Sequence, residues 1–297
     1  MTTSSDTPRR TLADEPWFAA LRADADRLTP ALALARLAAA APPAEARLGL
    51  HALIDAEPGR RLWRDALALA DRDGDVLARL RAVLATVDHR PGLSVENIAA
   101  MFDAAVAVSP EAGVALHSLG DPALLAAATA EIVDVLAAGG LLAPDRDVLD
   151  VGCGIGRMAL ALAPRVRTVV GLDIAPAMVT EAKRRCAGLS NVRFAVSDGR
   201  DMAEVADLSV DCVLFVDAFP YVMLAGGDLP SRMVRETGRV LRPAGSLVLL
   251  NMSYRADPSA DAADFTTLAT AAGLTPTVIG HAPFRLWDGL MFRADRI

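Results

Sequence analysis

The sequence predicts an α/β fold: a doubly wound, mostly parallel sheet with an all-helical N-terminal domain in front of it. Three observations predict it. An apolar strand runs straight into a glycine-rich turn and a helix at Asp147-Val148-Leu149-Asp150-Val151-Gly152-Cys153-Gly154-Ile155-Gly156-Arg157-Met158. Beyond that stretch, β-rich and helical runs alternate to the C-terminus, the order that builds parallel sheets. Ahead of it, residues 17–87 are rich in Ala, Leu and Arg, with apolar residues at helical spacing.

Taken in order, residues 1–10 read as a polar tail without the apolar core of a secretion signal. Helices follow, punctuated by Pro30, Pro42, Pro43 and Pro58, with apolar sets such as Leu62, Ala66, Leu69 and Ala70. Asp71-Arg72-Asp73-Gly74-Asp75 resembles a calcium loop only in part. Its glycine comes early and no glutamate closes it, so an inter-helix turn is expected. Ser94 caps a helix running to Val108, and Ser109-Pro110 opens another. Asp121 caps a helix that begins on Pro122 and stops at Gly139-Gly140. The expected division is a helical cap over 1–120 and an α/β core over 121–297.

In the core, Val148, Leu149 and Val151 form the first strand, and the helix after the turn spans 157–162. A second strand over 168–172 ends at Asp173, and Met178 opens a helix reaching Cys186. Residues 192–196 make the third strand, followed by Ser197-Asp198-Gly199-Arg200. The fourth, 210–216, is apolar apart from Asp211 and is therefore expected to be buried on both faces. A helix over 231–241 leads through an Arg242-Pro243-Ala244-Gly245 turn into a fifth strand, 247–251. After a last helix over 261–272, residues 275–279 and 290–293 form a terminal antiparallel pair. Phe284-Arg285-Leu286-Trp287-Asp288-Gly289 connects them.

The turn carries the chemistry. Glycines at 152, 154 and 156 let backbone approach a ligand closely, and the following helix is expected to aim free N–H groups at it. A dinucleotide fingerprint would need glycine at position 157, where Arg157 stands, which argues against a nicotinamide oxidoreductase. Asp150, two residues before the first glycine, suits a ligand with an ammonium group. At these residues, and at Leu241-Arg242-Pro243-Ala244-Gly245-Ser246-Leu247, the sequence resembles the class I S-adenosylmethionine (SAM)-dependent methyltransferases. That resemblance implies a seven-stranded sheet and SAM as cofactor. It also implies that Asp150, Gly152, Cys153, Gly154 and Gly156 hold the methionine end. Asp173 would then take the ribose diol, with Ile174 and Met178 beside the nucleoside. Asp198, Gly199 and Val216 complete the expected cofactor site, Asp198 receiving the adenine amino group.

By the same resemblance, the methyl acceptor lies beyond the fourth strand, at Asp217-Ala218-Phe219-Pro220-Tyr221. Nucleic-acid and protein-amide methyltransferases carry paired prolines there, and this sequence does not. Small-molecule acceptors with an O, N or C nucleophile are therefore expected. Asp217, Tyr221 and His117 are the candidate bases. Two other uses of the fold remain: SAM chemistry without methyl donation, such as cyclisation releasing methylthioadenosine, and non-catalytic SAM-binding regulation. Arg285 is expected on a surface turn, where a guanidinium is also suited to a substrate carboxylate.

Composition sets the outer limits. A net charge of −7, with pI about 5.2, argues against a nucleic-acid surface, and 53% hydrophobic residues suffice for a core. Cys153, Cys186 and Cys212 lack metal spacing and read as reduced thiols, so no metal site is expected. Charges interrupt the Ala-Leu-rich stretches 30–41 and 122–143, so no membrane span is expected. The expectation is a cytoplasmic protein with a small-molecule substrate and no nucleic-acid or membrane partner. A homodimer is compatible with the cap.

Overall fold

The computed structural model describes residues 12–297; the tail expected over 1–10 lies outside the described residues. The N-terminal half is helical: α1 (Pro16–Ala23), α2 (Pro30–Ala40), α3 (Pro43–Ala56), α4 (Arg61–Arg72), α5 (Val76–Thr86), α6 (Val95–Val108) and α7 (Pro110–Val114). Proline opens α1, α2, α3 and α7, where its missing N–H costs nothing and its fixed φ suits the first turn. Ser94 accepts from the Asn97 N–H at 3.2 Å and Ser109 from that of Ala112 at 3.3 Å, as expected of caps. These helices share one core, with Leu34, Leu37, Leu50, Leu53 and Leu80 fully buried around Trp63. The segment between α4 and α5 is a turn in which Asp73 pairs with Arg79, while Asp71, in the last turn of α4, pairs with Arg47.

A one-turn helix, Leu116–Ser118, leads to α8 (Pro122–Ala138), capped by Asp121 through the Ala123 N–H at 2.7 Å. Then come β1 (Asp147–Val151), α9 (Arg157–Leu162), β2 (Thr168–Asp173), α10 (Pro176–Arg185), β3 (Val192–Val196) and β4 (Val210–Val216). The chain closes with α11 (Phe219–Ala225), α12 (Leu229–Val240), β5 (Leu241–Asn251), α13 (Pro258–Ala271), β6 (Thr275–His281) and β7 (Leu290–Asp295). The sheet has seven strands in the order β3-β2-β1-β4-β5-β7-β6. Pairing is parallel from β3 through β5, and β7 lies antiparallel between β5 and β6. Strand order reverses between β1 and β4, and a crevice at the carboxyl ends of strands beside such a reversal is where open α/β sheets take ligands.

The N-terminal helices lean on that rim. A small apolar cluster of Val106, Ala115, Leu125, Ile155, Ala175 and Met178 joins them to the glycine turn and α10. Polar ties flank it: Asp103 caps α10 through the Ala177 N–H at 2.8 Å, Glu111 meets Arg185 at 2.6 Å, and Glu96 meets Arg200 at 2.5 Å. Among the described residues, no helix is long and apolar enough to cross a membrane.

Two elements differ from expectation. The turn at 242–245 is an excursion within β5: Leu241 pairs with Val210, and Ser246 resumes opposite Cys212. The C-terminal residues hold it there, with the Ala244 N–H donating to the Arg296 carbonyl at 2.9 Å and the Arg296 N–H to that of Gly245 at 2.8 Å. Beyond β4, Phe219 and Tyr221 lie on a short helix, α11, that no sequence signal announced, with Phe219 buried against Phe215.

Candidate active site

A cavity of about 770 Å³ occupies the crevice at the carboxyl ends of β1, β2 and β4, roofed by the N-terminal helices. That volume lies within the range of small-molecule and cofactor sites. At its floor, β1 gives way to a turn in which Gly152, Gly154 and Gly156 all take positive φ. A Cβ on Gly152 would stand 2.3 Å from the Ala218 Cβ, and one on Gly154 would stand 2.8 Å from Val114 Cγ1. Gly152, Cys153 and Gly154 line the cavity, whereas Gly156 packs away from it against Ala182 and Phe194.

The turn spends its own amides internally. Gly152 and Cys153 both donate to the Leu172 carbonyl, at 2.8 and 3.0 Å, and Gly156 donates to that of Cys153 at 2.9 Å. Gly154 donates to Asp173 Oδ2 at 2.7 Å. Four of the turn's amides are therefore engaged, while those of Ile155, Arg157, Met158 and Ala159 have no partner among the described residues, at the start of a helix only six residues long. What the turn presents to the cavity is close backbone without side chains.

Asp173 ends β2, buried, with Oδ1 accepting from the Ala175 N–H at 2.9 Å. Burial pushes its carboxyl above the usual range, against the pull of those amides. Each oxygen keeps a second lone pair for a ligand hydroxyl. Ile174 and Met178 line the cavity beside it, as do Val216, Ser197 and Gly199. Asp198 does not: it is exposed, outside the cavity, and accepts the Arg200 N–H at 2.8 Å in a local turn. The alternation of side chains after β3 brings Ser197 inward instead, buried, with its hydroxyl accepting from Gly199 at 3.1 Å.

Asp150 is 1% exposed, and neither carboxylate oxygen has a hydrogen-bond partner. Burial pushes its carboxyl up to about 7, with Arg157 opposing and Asp173 adding to the rise. Arg157, first residue of α9, is buried too. Its Nη1 donates to Thr129 Oγ1 at 3.3 Å, its Nη2 has no partner, and burial depresses its pKa against the attraction of Asp217 and Asp150. An unpaired charge at such depth is costly unless a ligand completes it.

The rim beyond β4 holds the candidate bases. Asp217 sits at φ +58°, its N–H donating to the Leu250 carbonyl at 2.7 Å, and burial pushes its carboxyl up to about 7 against the influence of Arg157. Tyr221, on α11, meets Phe102 edge-on at 4.7 Å and stacks with His89 at 6.2 Å. Burial raises its hydroxyl pKa, leaving it a donor at neutral pH. His117 lines the cavity with Nε2 unpartnered, stacked on Trp287 at 6.1 Å. Burial, then the nearby Arg157 charge, lowers its pKa to about 3, so it is a neutral ring and a weak base.

Several lining residues were not foreseen from sequence: Arg157, Trp287, Phe102, His89 and the Arg36–Asp288 pair at 2.8 Å. Arg157 had one available signal, a charge opening an otherwise apolar helix, Arg157-Met158-Ala159-Leu160-Ala161-Leu162. Arg285 lies exposed and outside the cavity, its N–H donating to Glu131 Oε1 at 2.8 Å.

Residues 149–249 match the model of the methyltransferase domain family. The chain is 33% identical over 108 residues to the demethylmenaquinone methyltransferase of Tropheryma whipplei, covering 36% of this chain and 42% of that protein. It is 36% identical over 124 residues to the 2-methyl-6-phytyl-1,4-hydroquinone methyltransferase of Synechocystis, covering 40% of this chain and 36% of that protein. Identity to the nocamycin O-methyltransferase of Saccharothrix syringae is 38% over 117 residues, covering 36% of this chain and 38% of that protein. The chain thus spans less than half the length of these relatives. The matched segment begins within β1 and ends within β5, so it contains the glycine turn, Asp173 and Asp217. Over residues 149–249, on a seven-stranded sheet of this order, the chain is similar to the methyltransferase domain family.

Proposed function

We propose that the protein transfers a methyl group from SAM to a small, largely apolar molecule at an O, N or C nucleophile. The observation that carries this reading is one cavity presenting a glycine turn, the unpartnered Asp150 carboxylate and the Asp173 carboxylate together. Those groups fit SAM: Asp150 has two buried oxygens free for an ammonium, and Asp173 retains acceptor capacity for a ribose diol. Ile174, Met178, Ser197 and Gly199 supply an apolar and small-residue wall for a base. When bound, the cofactor supplies a methyl carbon already activated by a sulfonium.

The chain's own contribution is alignment and exclusion of water. Ala218 and Val114 close over the turn, and Phe102, His89 and Tyr221 gather at the acceptor side. Tyr221 and Phe102 offer π faces to a cationic or electron-poor centre. Asp217 is the base this reading selects: its pKa near 7 suits removal of a proton from the acceptor at neutral pH, and His117 is too weakly basic. The cap over 1–120 then selects the acceptor, since α2, α5 and α6 wall the cavity away from the glycine turn. The named relatives support a small acceptor, since their names give a menaquinone precursor, a phytyl hydroquinone and an O-methylation.

The test is calorimetric titration with S-adenosylhomocysteine, then a screen of apolar phenols, hydroquinones and amines for release of that product from SAM. Failure of the folded protein to bind S-adenosylhomocysteine overturns the reading. Release of methylthioadenosine in its place would move the chemistry away from methyl donation.

A further inference from the structure

We infer that Arg157 seats the carboxylate of the cofactor's α-amino acid, making Asp150 and Arg157 a buried clamp for a zwitterion. This rests on the reading above and assigns a task for which the glycine turn offers no charged group. An amino-acid ligand brings two opposite charges, one carbon apart, into a site that excludes water. Each needs a partner there.

The turn is the obvious seat for the carboxylate, and every glycine amide in it is taken, leaving Ile155 and the first amides of α9. Gly152, Cys153 and Gly156 donate to backbone carbonyls, and Gly154 donates to Asp173. A helix of six residues adds little field of its own. A charged donor, the stronger partner for a buried carboxylate, must come from a side chain. Three arginines line the cavity: Arg36, Arg157 and Arg255. Arg36 is held by Asp24 at 2.5 Å and by Asp288 at 2.8 Å, and Arg255 is held by Asp264 at 2.6 Å. Arg157 differs. Its Nη2 is buried without a partner, while Nη1 is anchored on Thr129, which fixes where the guanidinium points.

Asp150 is its counterpart. Both oxygens are buried and unpartnered, and it is among the carboxylates whose charge attracts Arg157 without hydrogen-bonding to it. The two side chains flank the same turn, one at the end of β1 and one at the start of α9. A zwitterion laid across the turn satisfies both orphans at once, its ammonium on Asp150 and its carboxylate on Arg157. Unliganded, the pair remains incomplete. This arrangement makes the site selective for an intact α-amino acid over the nucleoside alone.

Three ligands separate the contributions: S-adenosylhomocysteine, its decarboxylated amine, and 5′-methylthioadenosine, which lacks both charged groups. In calorimetric titrations, Arg157→Gln is expected to weaken S-adenosylhomocysteine by about 30-fold or more, as loss of a buried charge partner does. The same variant should leave methylthioadenosine unchanged and bind the decarboxylated amine at least as well as wild type does. Arg157→Lys should recover part of the discrimination, and it serves if the Gln variant fails to fold. Asp150→Asn should weaken both amine-bearing ligands and spare methylthioadenosine. If Arg157→Gln binds S-adenosylhomocysteine like wild type, or weakens all three ligands equally, the clamp is wrong. If wild type binds none of the three, the cofactor reading itself fails.

Discussion

Asp150 and Asp217 both line the cavity near Arg157, and each is pushed up to about 7 by burial. Their shared cause gives separable consequences. An ammonium on Asp150 requires the carboxylate, so binding must expel a proton wherever the free site holds one. Affinity for S-adenosylhomocysteine should therefore rise with pH, by roughly tenfold per unit below about pH 7, and level off above it. Titrations across that range check this, and Asp150→Asn should give a weak, flat profile. For Asp217 the readout is turnover. Asp217→Asn should lower kcat by about 10²–10⁴-fold for an acceptor that must lose a proton, and remove the rise in kcat through about pH 7. Affinity for S-adenosylhomocysteine should change far less, because that ligand brings no acceptor proton to remove.

At the scale of elements, the parallel core was legible because its signals are local. Buried parallel strands read as apolar runs, and the Val210–Val216 run, interrupted only by Asp211 near its start, is β4. Helix ends announced themselves through Ser94, Ser109 and Asp121, each of which caps as expected. Asp173, Gly199 and Val216 line the cavity because they lie at or just beyond strand ends, which in such a fold face the crevice. Long-range features were not legible. Helix α11 went unread, and its Phe219 is buried against Phe215 and against Tyr254, a residue far along the chain. Asp198 turned outward because the Arg200 amide offered a local partner, and only the register of β3 decides which neighbour faces in. Arg157, Trp287 and Phe102 come from three separate segments, and the fold alone brings them to one cavity.

Gly156 shows how an element boundary depends on a backbone state. It is the N-cap of α9 at φ +77°, and a Cβ there would lie 3.0 Å from the Ala182 Cβ and 3.1 Å from Phe194 Cζ. Gly156→Ala should thus combine left-handed strain with a clash between α9, α10 and β3, destabilising by about 2–4 kcal/mol. Gly140, at φ +69° with nothing within 4 Å, isolates the strain. Gly140→Ala should cost about 1 kcal/mol. Urea unfolding of both variants measures the difference, and equal losses would show that packing at the turn is unimportant.

For the whole molecule, the site's buried charges set how stability depends on pH in the absence of ligand. Asp150 and Asp217 have folded pKa values near 7, above their ordinary 3.8, so between about pH 4 and 7 the folded state holds protons that the unfolded state lacks. Their contribution to stability therefore grows as pH falls through that window and is lost as pH rises through 7. Asp173, also raised by burial, acts in the same direction. His117 acts oppositely: lowered to about 3 from 6.5, it stays neutral while the unfolded chain takes up a proton, so its effect erodes stability below about pH 6.5. Glu96 and Glu181, lowered to about 2 by arginine partners, contribute stability that fails only as pH falls below about 4.5, beneath this window. Raised carboxyls outnumber the depressed histidine, so the ligand-free protein should melt several degrees higher near pH 5.5 than near pH 8. Saturating S-adenosylhomocysteine should shrink or reverse that difference, because the bound ammonium makes the ionised Asp150 the stable form. Scanning calorimetry at the two pH values, with and without ligand, provides the measurement. A ligand-free melting temperature that rises from pH 5.5 to 8 would mean that these carboxylates are not buried and unpaired.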